Sequence, residues 1–203
     1  MGRSFSMYLS TWYLTVYVIG AKRTLDLVVS ALALITLSPI FAIVAIAIKV
    51  FDPGPAVFSQ KRVGLGQKQF TLYKFRSMPI NTGDVPSDML GELKLSWIGR
   101  FIRRSNLDEL PQLYNVFLGD MSLVGPRPAL PSQNDLVEAR AVNGAYEVRP
   151  GLTGLAQVRS YDGMPIEEKA RFDCQYANSV TFLSDLKICF QTIGYLMRKP
   201  PVY

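Results

Sequence analysis

Residues 27–48 read LVVSALALITLSPIFAIVAIAI and carry no charge. A helix of that length is about 33 Å long, which is enough to cross the apolar core of a bilayer. Ser38 and Pro39 fall in its middle, where proline removes a backbone hydrogen bond and bends a helix. Basic residues flank the run on both sides, and such flanks tend to stay in the cytoplasm. The sequence predicts a membrane element and leaves open whether it spans the bilayer or returns to the same face.

Composition narrows the chemistry that the rest of the chain can perform. The 203 residues include no histidine, the commonest general base and metal ligand, so carboxylates are the natural candidates for these roles. Cys174 and Cys189 match no metal-ligand spacing and are too few for a disulfide framework, so we expect free thiols. The 22 basic and 16 acidic residues give a net charge of +6, which favours phosphate-bearing or lipid partners.

The chain divides into three parts by texture. Residues 1–21 are rich in Ser, Thr, Tyr and Trp, which suits an interfacial segment or a poorly ordered lead-in. Residues 22–50 form the membrane element. Residues 51–203 begin with turn-rich, strand-like sequence and are expected to form a cytosolic globular domain. We predict a helix-rich α+β fold.

The C-terminal residues predict amphipathic helices. Pro165, with Glu167 and Glu168 after it, marks a helix start. Further on, apolar residues are interrupted by Asp185, Lys187 and Gln191. This pattern fits a helix lying on the membrane surface, and packing as a core helix remains the alternative.

Two adjacent carboxylates, Asp108 and Glu109, stand out in the stretch RRSNLDELPQLYNV at residues 103–116. Pro111 is tolerated in a first helical turn, so a helix is expected to begin near Asp108. Its core-facing stripe would be Leu110, Leu113, Tyr114 and Phe117. The two acids would then lie at a helix N-terminus, and a simple capping role, with Ser105 and Asp108 as a capping box, is the structural alternative.

Arginines on rigid turns surround this pair in sequence. Arg103 and Arg104 precede it, Arg127 is held between Pro126 and Pro128, and Arg149 precedes Pro150. A guanidinium fixed in this way suits phosphate recognition, with a surface salt bridge as the alternative for Arg127. Carboxylates able to hold Mg²⁺, together with fixed arginines, are the components that phosphoryl transfer requires.

Over residues 22–197 the chain resembles the bacterial sugar transferases, the small monotopic phosphoglycosyl transferases. The matching strings are KRTLDLVVSALALITLSP, GPAVFSQKRVGLGQKQFTLYKFRSM, LDELPQLYNVFLGDMSLVGPRP and RPGLTGLAQV. Larger members carry an additional N-terminal multi-span domain, so the chain resembles the minimal enzymes.

The resemblance implies transfer of a phospho-sugar from a UDP-sugar to a polyprenyl (undecaprenyl) phosphate with release of UMP, the first membrane step of glycoconjugate assembly. Asp108 would be the nucleophile that forms an aspartyl phospho-sugar, with Mg²⁺ at Asp108 and Glu109. Ser38 and Pro39 would break a re-entrant helix. The expected substrate-binding residues, from the resemblance and from the basic turns, are Lys74, Arg76, Arg103, Arg104, Pro126, Arg127, Pro128 and Arg149.

The expected location is the cytoplasmic face of the bacterial inner membrane. The expected partners are a UDP-sugar, a polyprenyl phosphate and membrane lipid, with a homodimer left open and no nucleic acid. Many family members continue GLTGLAQV with an NGR-type turn, whereas this chain has RSYDGM, so the contacts of Arg159 and Asp162 are expected to be shifted and the sugar is left open. Two rival functions are a Mg²⁺-dependent phosphohydrolase that uses Asp108, and a membrane-anchored anion- or lipid-binding module.

Overall fold

The computed structural model describes residues 17–82, 95–161 and 163–197. Most of the predicted interfacial segment 1–21 lies outside the described residues, as do residues 83–94 and Asp162. The helices after a short π-helical turn at Tyr17–Ala21 are α1 (Lys22–Thr36), α2 (Ser38–Phe51), α3 (Trp97–Arg104), α4 (Gln112–Leu118), α5 (Asn134–Val142), α6 (Leu155–Val158), α7 (Ile166–Ala177) and α8 (Phe182–Leu196). Short 3₁₀ turns occur at Leu65–Gln67, Ile80–Thr82, Leu107–Glu109 and Ala145–Glu147.

The predicted break at Ser38 and Pro39 is confirmed. Helices α1 and α2 meet at Leu37 with a bend of 59°. Pro39 has no N–H to donate to the carbonyl of Ile35, one helical turn earlier. The hydroxyl of Ser38 donates to that carbonyl instead, at 2.8 Å. The Ser-Pro pair therefore bends the chain without leaving the carbonyl unpaired.

The apolar side chains of this bent pair point largely outward. Ile35 is 71% exposed and Ile43 is 66% exposed. Among the described residues, no single helix is long and apolar enough to cross a membrane, whereas α1 and α2 together pass that test by length and composition. The inner side of α2 packs Val44 and Ile48 against Phe75 and the α3 residues Ile98 and Ile102.

Two small sheets complete the α+β fold. Strands β1 (Val57–Val63) and β2 (Gln69–Phe75) form an antiparallel hairpin whose register runs from Val57 opposite Phe75 to Val63 opposite Gln69. Strands β3 (Ser122–Val124) and β4 (Gly151–Thr153) pair in parallel. The helix-rich α+β class is therefore confirmed.

The first turns of α1 are tied to the rest of the protein by polar contacts. The Lys22 Nζ lies 2.6 Å from the Asp185 Oδ2 in α8, and Asp26 accepts a hydrogen bond from the Leu123 amide in β3 at 3.0 Å. Arg23 donates to the carbonyls of Val116 and Phe117 at the end of α4. The bent pair is therefore joined directly to the globular part.

The C-terminal helices follow the predicted pattern. Helix α7 begins directly after Pro165. In α8, Asp185 and Ile188 are buried. The exposed apolar side chains of this helix are Phe182, Leu183, Leu186, Phe190, Ile193 and Leu196. The predicted amphipathic pattern is therefore confirmed, since one face of α8 packs against the core through Ile188 and the opposite face is exposed.

Candidate active site

The carboxylate pair lies on a single 3₁₀ turn, Leu107–Glu109, which we call the dyad turn. Helix α4 begins only at Gln112, so the prediction that the helix starts near Asp108 is wrong by one turn. The reason is Pro111, which cannot donate the α-helical hydrogen bond to the Leu107 carbonyl. That carbonyl instead accepts from the amide of Leu110 at 3.2 Å, which tightens the turn.

The capping alternative for these acids is also wrong. Neither the dyad turn nor α4 has a side-chain cap hydrogen bond. The hydroxyl of Ser105 donates backwards to the carbonyls of Phe101 and Ile102, so it forms no capping box with Asp108. The two carboxylates are therefore available for another purpose.

The predicted core-facing stripe of α4 is correct only in part. Leu113 is buried and Leu110 packs against the core, whereas Tyr114 and Phe117 are exposed. The remaining buried side chains of this helix are Gln112, Asn115 and Val116. The inner face of α4 is therefore formed by Gln112, Leu113, Asn115 and Val116.

Glu109 is held by two cations from separate parts of the chain. Lys74, on β2, places its Nζ 3.1 Å from the Glu109 Oε1. Arg127 places its Nη2 2.5 Å from the same oxygen and its Nη1 3.5 Å from Oε2. Burial alone would raise the pKa of Glu109, but Arg127 and Lys74 hold it well below its usual range. Glu109 is therefore ionised throughout the physiological pH range.

The carboxylate of Asp108 lies next to Glu109 but has different surroundings. Within the ranges 17–82, 95–161 and 163–197, no residue donates a hydrogen bond to its carboxylate. Burial raises the pKa of Asp108 to about 6, against the opposing charge of Lys74, and the neighbouring charge of Glu109 adds to the rise. At neutral pH this carboxylate is ionised and accepts no hydrogen bond from the described part of the chain, a state that suits a nucleophile or a cation ligand.

Arg127 lies on a rigid turn, Pro126–Pro128, which we call the PRP turn. Both prolines are buried, whereas the side chain of Arg127 is 43% exposed. The carbonyl of Pro126 accepts from the Gly151 amide, and that of Pro128 accepts from Arg62. The turn is anchored through its carbonyls and presents one guanidinium to the dyad turn.

The PRP turn lies against β4 at a distance that only glycine allows. A Cβ added to Gly151 would lie 2.0 Å from the backbone nitrogen of Gly125, and one added to Gly125 would lie 2.3 Å from the carbonyl oxygen of Arg149. No side chain fits between these segments. The sequence pattern GPRP with RPG therefore encodes a close backbone crossing.

The model of one protein family, described as "Bacterial sugar transferase", matches residues 17–199. The chain belongs to the bacterial sugar transferase family. It is 40% identical over 191 residues to the UDP-glucose:undecaprenyl-phosphate glucose-1-phosphate transferase of Caulobacter vibrioides, covering 90% of this chain and 72% of that protein.

Other relatives extend beyond the region shared with this chain. The protein of Klebsiella pneumoniae with the same description is 38% identical, covering 85% of this chain and 39% of the relative. The undecaprenyl-phosphate galactose phosphotransferase of Salmonella typhimurium is 37% identical, covering 90% of this chain and 41% of the relative. The chain thus spans about two fifths of the length of these two sugar transferases.

Not every basic residue that we assigned to the sugar transferase site contacts the dyad. Arg76 is buried and donates to the carbonyls of Asp52 and Pro53 at the end of the bent pair. The Arg149 Nε donates to the Gly119 carbonyl at 2.9 Å, beyond the far end of α4. Both side chains hold backbone segments together.

The two arginines at the end of α3 lie differently from each other. Arg103 is half-buried, and its charge acts on Asp108. Arg104 is exposed. Of the predicted substrate-binding cations, the structure therefore brings Lys74, Arg127 and Arg103 to the dyad turn.

One residue that organises the site had no signal in the sequence. The side chain of Asn115 is fully buried in α4 and accepts a hydrogen bond from the Tyr73 amide at 3.0 Å. Its Nδ2 donates to the Thr71 carbonyl at 2.7 Å. Asn115 therefore fixes β2, and with it Lys74, against the helix that follows the dyad turn.

The site offers a small set of ligands for a metal. Within the described part of the chain, no group of three or more His, Cys, Asp or Glu side chains is placed to hold an ion. Asp108 and Glu109 are the two adjacent carboxylates. Mg²⁺ is commonly bound by one or two protein carboxylates together with phosphate oxygens, so Asp108 and Glu109 are the residues that could hold such an ion.

Proposed function

We propose that this protein transfers a sugar phosphate from a UDP-sugar to a polyprenyl phosphate of the undecaprenyl type and releases UMP. The observation that carries the proposal is the half-buried carboxylate of Asp108, to which no described residue donates a hydrogen bond. It lies beside Glu109, whose charge is fixed by Lys74 and Arg127. The relatives named above act on undecaprenyl phosphate, and two of them are described as acting on UDP-glucose.

In the first step, an oxygen of the Asp108 carboxylate attacks the phosphorus that carries the sugar. The bond from that phosphorus to the bridging oxygen breaks, and the electron pair leaves with UMP. In the second step, a phosphate oxygen of the polyprenyl phosphate attacks the same phosphorus. The bond to Asp108 breaks, which restores the carboxylate and gives a polyprenyl diphospho-sugar.

The other residues prepare this attack by neutralising charge. The fork of Arg127 and the ammonium of Lys74 lie on the oxygens of Glu109, so they keep it ionised and also place positive charge where a diphosphate would approach Asp108. Asp108 and Glu109 would hold Mg²⁺, which when bound supplies charge neutralisation for phosphate oxygens.

The bent pair and α8 support a location on the cytoplasmic face of the inner membrane. The apolar side chains of α1 and α2 are exposed, and the bend of 59° lets both ends return to one face. In this arrangement residues 22–50 enter one leaflet and residues 51–203 form the catalytic part.

The test is to incubate the full chain with a panel of UDP-sugars and Mg²⁺ in the absence of acceptor. We expect a burst of about one UMP per active enzyme with the correct sugar, and a phospho-sugar mapped by mass spectrometry to Asp108. Turnover should begin only on addition of polyprenyl phosphate. Continuous UMP release without acceptor would instead indicate the phosphohydrolase, and no release with any UDP-sugar would contradict the proposal.

Two variants at the dyad turn sharpen the assignment. Asp108→Asn should abolish both labelling and turnover, because an amide does not attack phosphorus. The variant should fold, since Asp108 caps no helix. Glu109→Gln should slow the reaction while some labelling of Asp108 persists. A folded Asp108→Asn protein with full turnover, or a label mapped to another residue, would overturn this mechanism. Loss of UMP release in a folded Asp108→Asn protein would reject the binding-module alternative.

A further inference from the structure

The most deeply buried ion pair of the described residues lies outside the dyad turn. Arg140, in the last turn of α5, is 2% exposed, and Asp173, in the middle of α7, is 1% exposed. The Arg140 Nη2 and Nε lie 2.5 Å and 2.8 Å from the Asp173 Oδ2. Removing two charges from water costs several kcal/mol, so a buried pair is weak evidence for stabilisation by itself.

The remaining arm of Arg140 reaches the PRP turn. Its Nη1 donates to the carbonyl oxygen of Arg127 at 2.8 Å. Arg140 therefore connects two distant elements: Asp173 fixes the orientation of its guanidinium, and the guanidinium fixes the backbone of Arg127. A planar guanidinium that makes three hydrogen bonds is held in a single orientation.

The chemistry of the PRP turn explains why such a donor is needed. Pro126 and Pro128 have no N–H groups, so the turn is held largely through its carbonyls. The backbone amide of Gly151 donates to the carbonyl of Pro126, and the amide of Val63 donates to the carbonyl of Ala129. The carbonyl of Arg127, the residue whose side chain reaches Glu109, accepts a hydrogen bond from the Arg140 side chain.

We propose that Arg140, oriented by Asp173, is a positioning residue that sets the direction in which Arg127 reaches toward Glu109 and the substrate phosphates. The proposal rests on the function proposed above for Arg127. Without the contact, the PRP turn would keep its prolines but lose the bond at its centre. A displacement of Arg127 by a fraction of an ångström would weaken a charged contact that depends on geometry.

Arg140→Lys is the most informative substitution. Lysine retains a positive charge beside Asp173, but a single ammonium cannot reproduce the fork that bonds Asp173 and Arg127 together. We expect kcat/KM for the UDP-sugar to fall on the order of 10-fold or more. The matched control is Arg171→Lys, also an Arg-to-Lys change, in the exposed pair with Glu168 on α7, which should change kcat/KM less than twofold.

A double-mutant cycle separates positioning from general structural support. In an Arg127→Ala background, adding Arg140→Lys should change kcat/KM less than twofold, because the side chain that Arg140 positions is gone. Equal losses in both backgrounds would overturn the proposal. If Arg140→Lys does not fold, Asp173→Asn is used in the same cycle, since it leaves Arg140 in place but removes the charge that orients it.

A second measurement does not depend on the proposed activity. Hydrogen–deuterium exchange of a peptide covering residues 125–130 should be faster in Arg140→Lys than in the wild-type and Arg171→Lys proteins. Unchanged exchange in that peptide would overturn the proposal even if the enzyme is active. Faster exchange in a chain that releases no UMP would support the positioning role while the proposed function fails.

Discussion

Glu109 and Arg127 are joined through both arms of one guanidinium, with Nη2 of Arg127 2.5 Å from Oε1 and Nη1 3.5 Å from Oε2. The contact links the dyad turn to the PRP turn, which are 18 residues apart in sequence. Arg127 therefore does more than carry a surface charge, because its fork meets the acid next to the proposed nucleophile.

Arg127→Lys is expected to lower kcat/KM for the UDP-sugar markedly. Lysine keeps the charge but cannot contact both oxygens of Glu109, and loss of one charged hydrogen bond corresponds to about 1.5–3 kcal/mol. Steady-state UMP release with saturating polyprenyl phosphate measures the effect. Near-normal kinetics in this variant, with Arg171→Lys as the reference, would show that the fork has no part in the reaction.

Asp108→Asn is expected to raise the free energy of unfolding at pH 7. Burial raises the pKa of Asp108 to about 6, above the value of about 3.9 for an unfolded Asp, so ionisation disfavours the folded state above pH 6. The penalty develops as the pH rises from about 4 to about 6, and at about pH 3, where both states are protonated, the difference should be small. Thermal unfolding in Mg²⁺-free buffer at about pH 7 and about pH 3 tests this, and a variant less stable than wild type at both pH values would contradict it.

Glu109→Gln is expected to change stability in the opposite direction. Burial acts to raise the pKa of Glu109, but the charges of Arg127 and Lys74 outweigh burial and hold the pKa below its usual range. The ionised form therefore stabilises the folded protein. That contribution is fully present above the unfolded pKa of about 4.3 and is lost as the pH falls through the lower folded value. The variant should therefore unfold at a lower temperature than wild type at pH 7. Equal unfolding temperatures at pH 7 would show that the two cations contribute nothing to folding.

The topology of the bent pair can be tested by labelling. In a background with Cys174 and Cys189 replaced by serine, single cysteines at the exposed positions Gly20 and Pro53 should both react with an impermeant reagent only from the cytoplasmic side. Replacing Ser38 and Pro39 by alanine restores an N–H donor for the Ile35 carbonyl and should favour a straight, spanning helix. Labels on opposite sides of the membrane in the otherwise unchanged chain would contradict the re-entrant arrangement.

Asn115→Ala is expected to destabilise the fold by about 1–3 kcal/mol, because it leaves the Tyr73 amide without its side-chain acceptor and the Thr71 carbonyl without its donor. Thermal unfolding measures the change. Asn143→Ala, which removes an exposed side-chain bond to the Ala139 carbonyl, is the matched control. Similar unfolding temperatures for the two variants would show that Asn115 does not hold β2.

Features determined by local sequence were predictable. One Ser-Pro pair in an apolar run specifies the bend at Leu37, and Pro165 specifies where α7 begins, because proline acts on its own backbone and on the preceding turn. Pro111 acts on the preceding turn in the same way. Its missing N–H leaves a 3₁₀ turn at Asp108, where the sequence predicts the start of a helix.

Features determined by contacts between distant segments could not be read from the pattern. Arg149 has the same Arg-Pro context as Arg127, yet its guanidinium bonds to Gly119 while that of Arg127 meets Glu109. Whether an arginine meets backbone or a carboxylate depends on which segment folds against it. Asn115 and Arg140 gave no signal for the same reason, since their contacts with Tyr73, Thr71 and Asp173 join segments 33 to 44 residues apart.

Arg23 lies at the junction between α1 and α4. Its guanidinium donates to the last carbonyls of α4, at 2.6 Å to Val116 and 2.8 Å to Phe117. In the proposed membrane arrangement, these hydrogen bonds fix α4, the helix that follows the dyad turn, to α1, the segment that enters the lipid. The fold would then set the distance of Asp108 from the bilayer surface, so that lipid-borne phosphates meet it at one level.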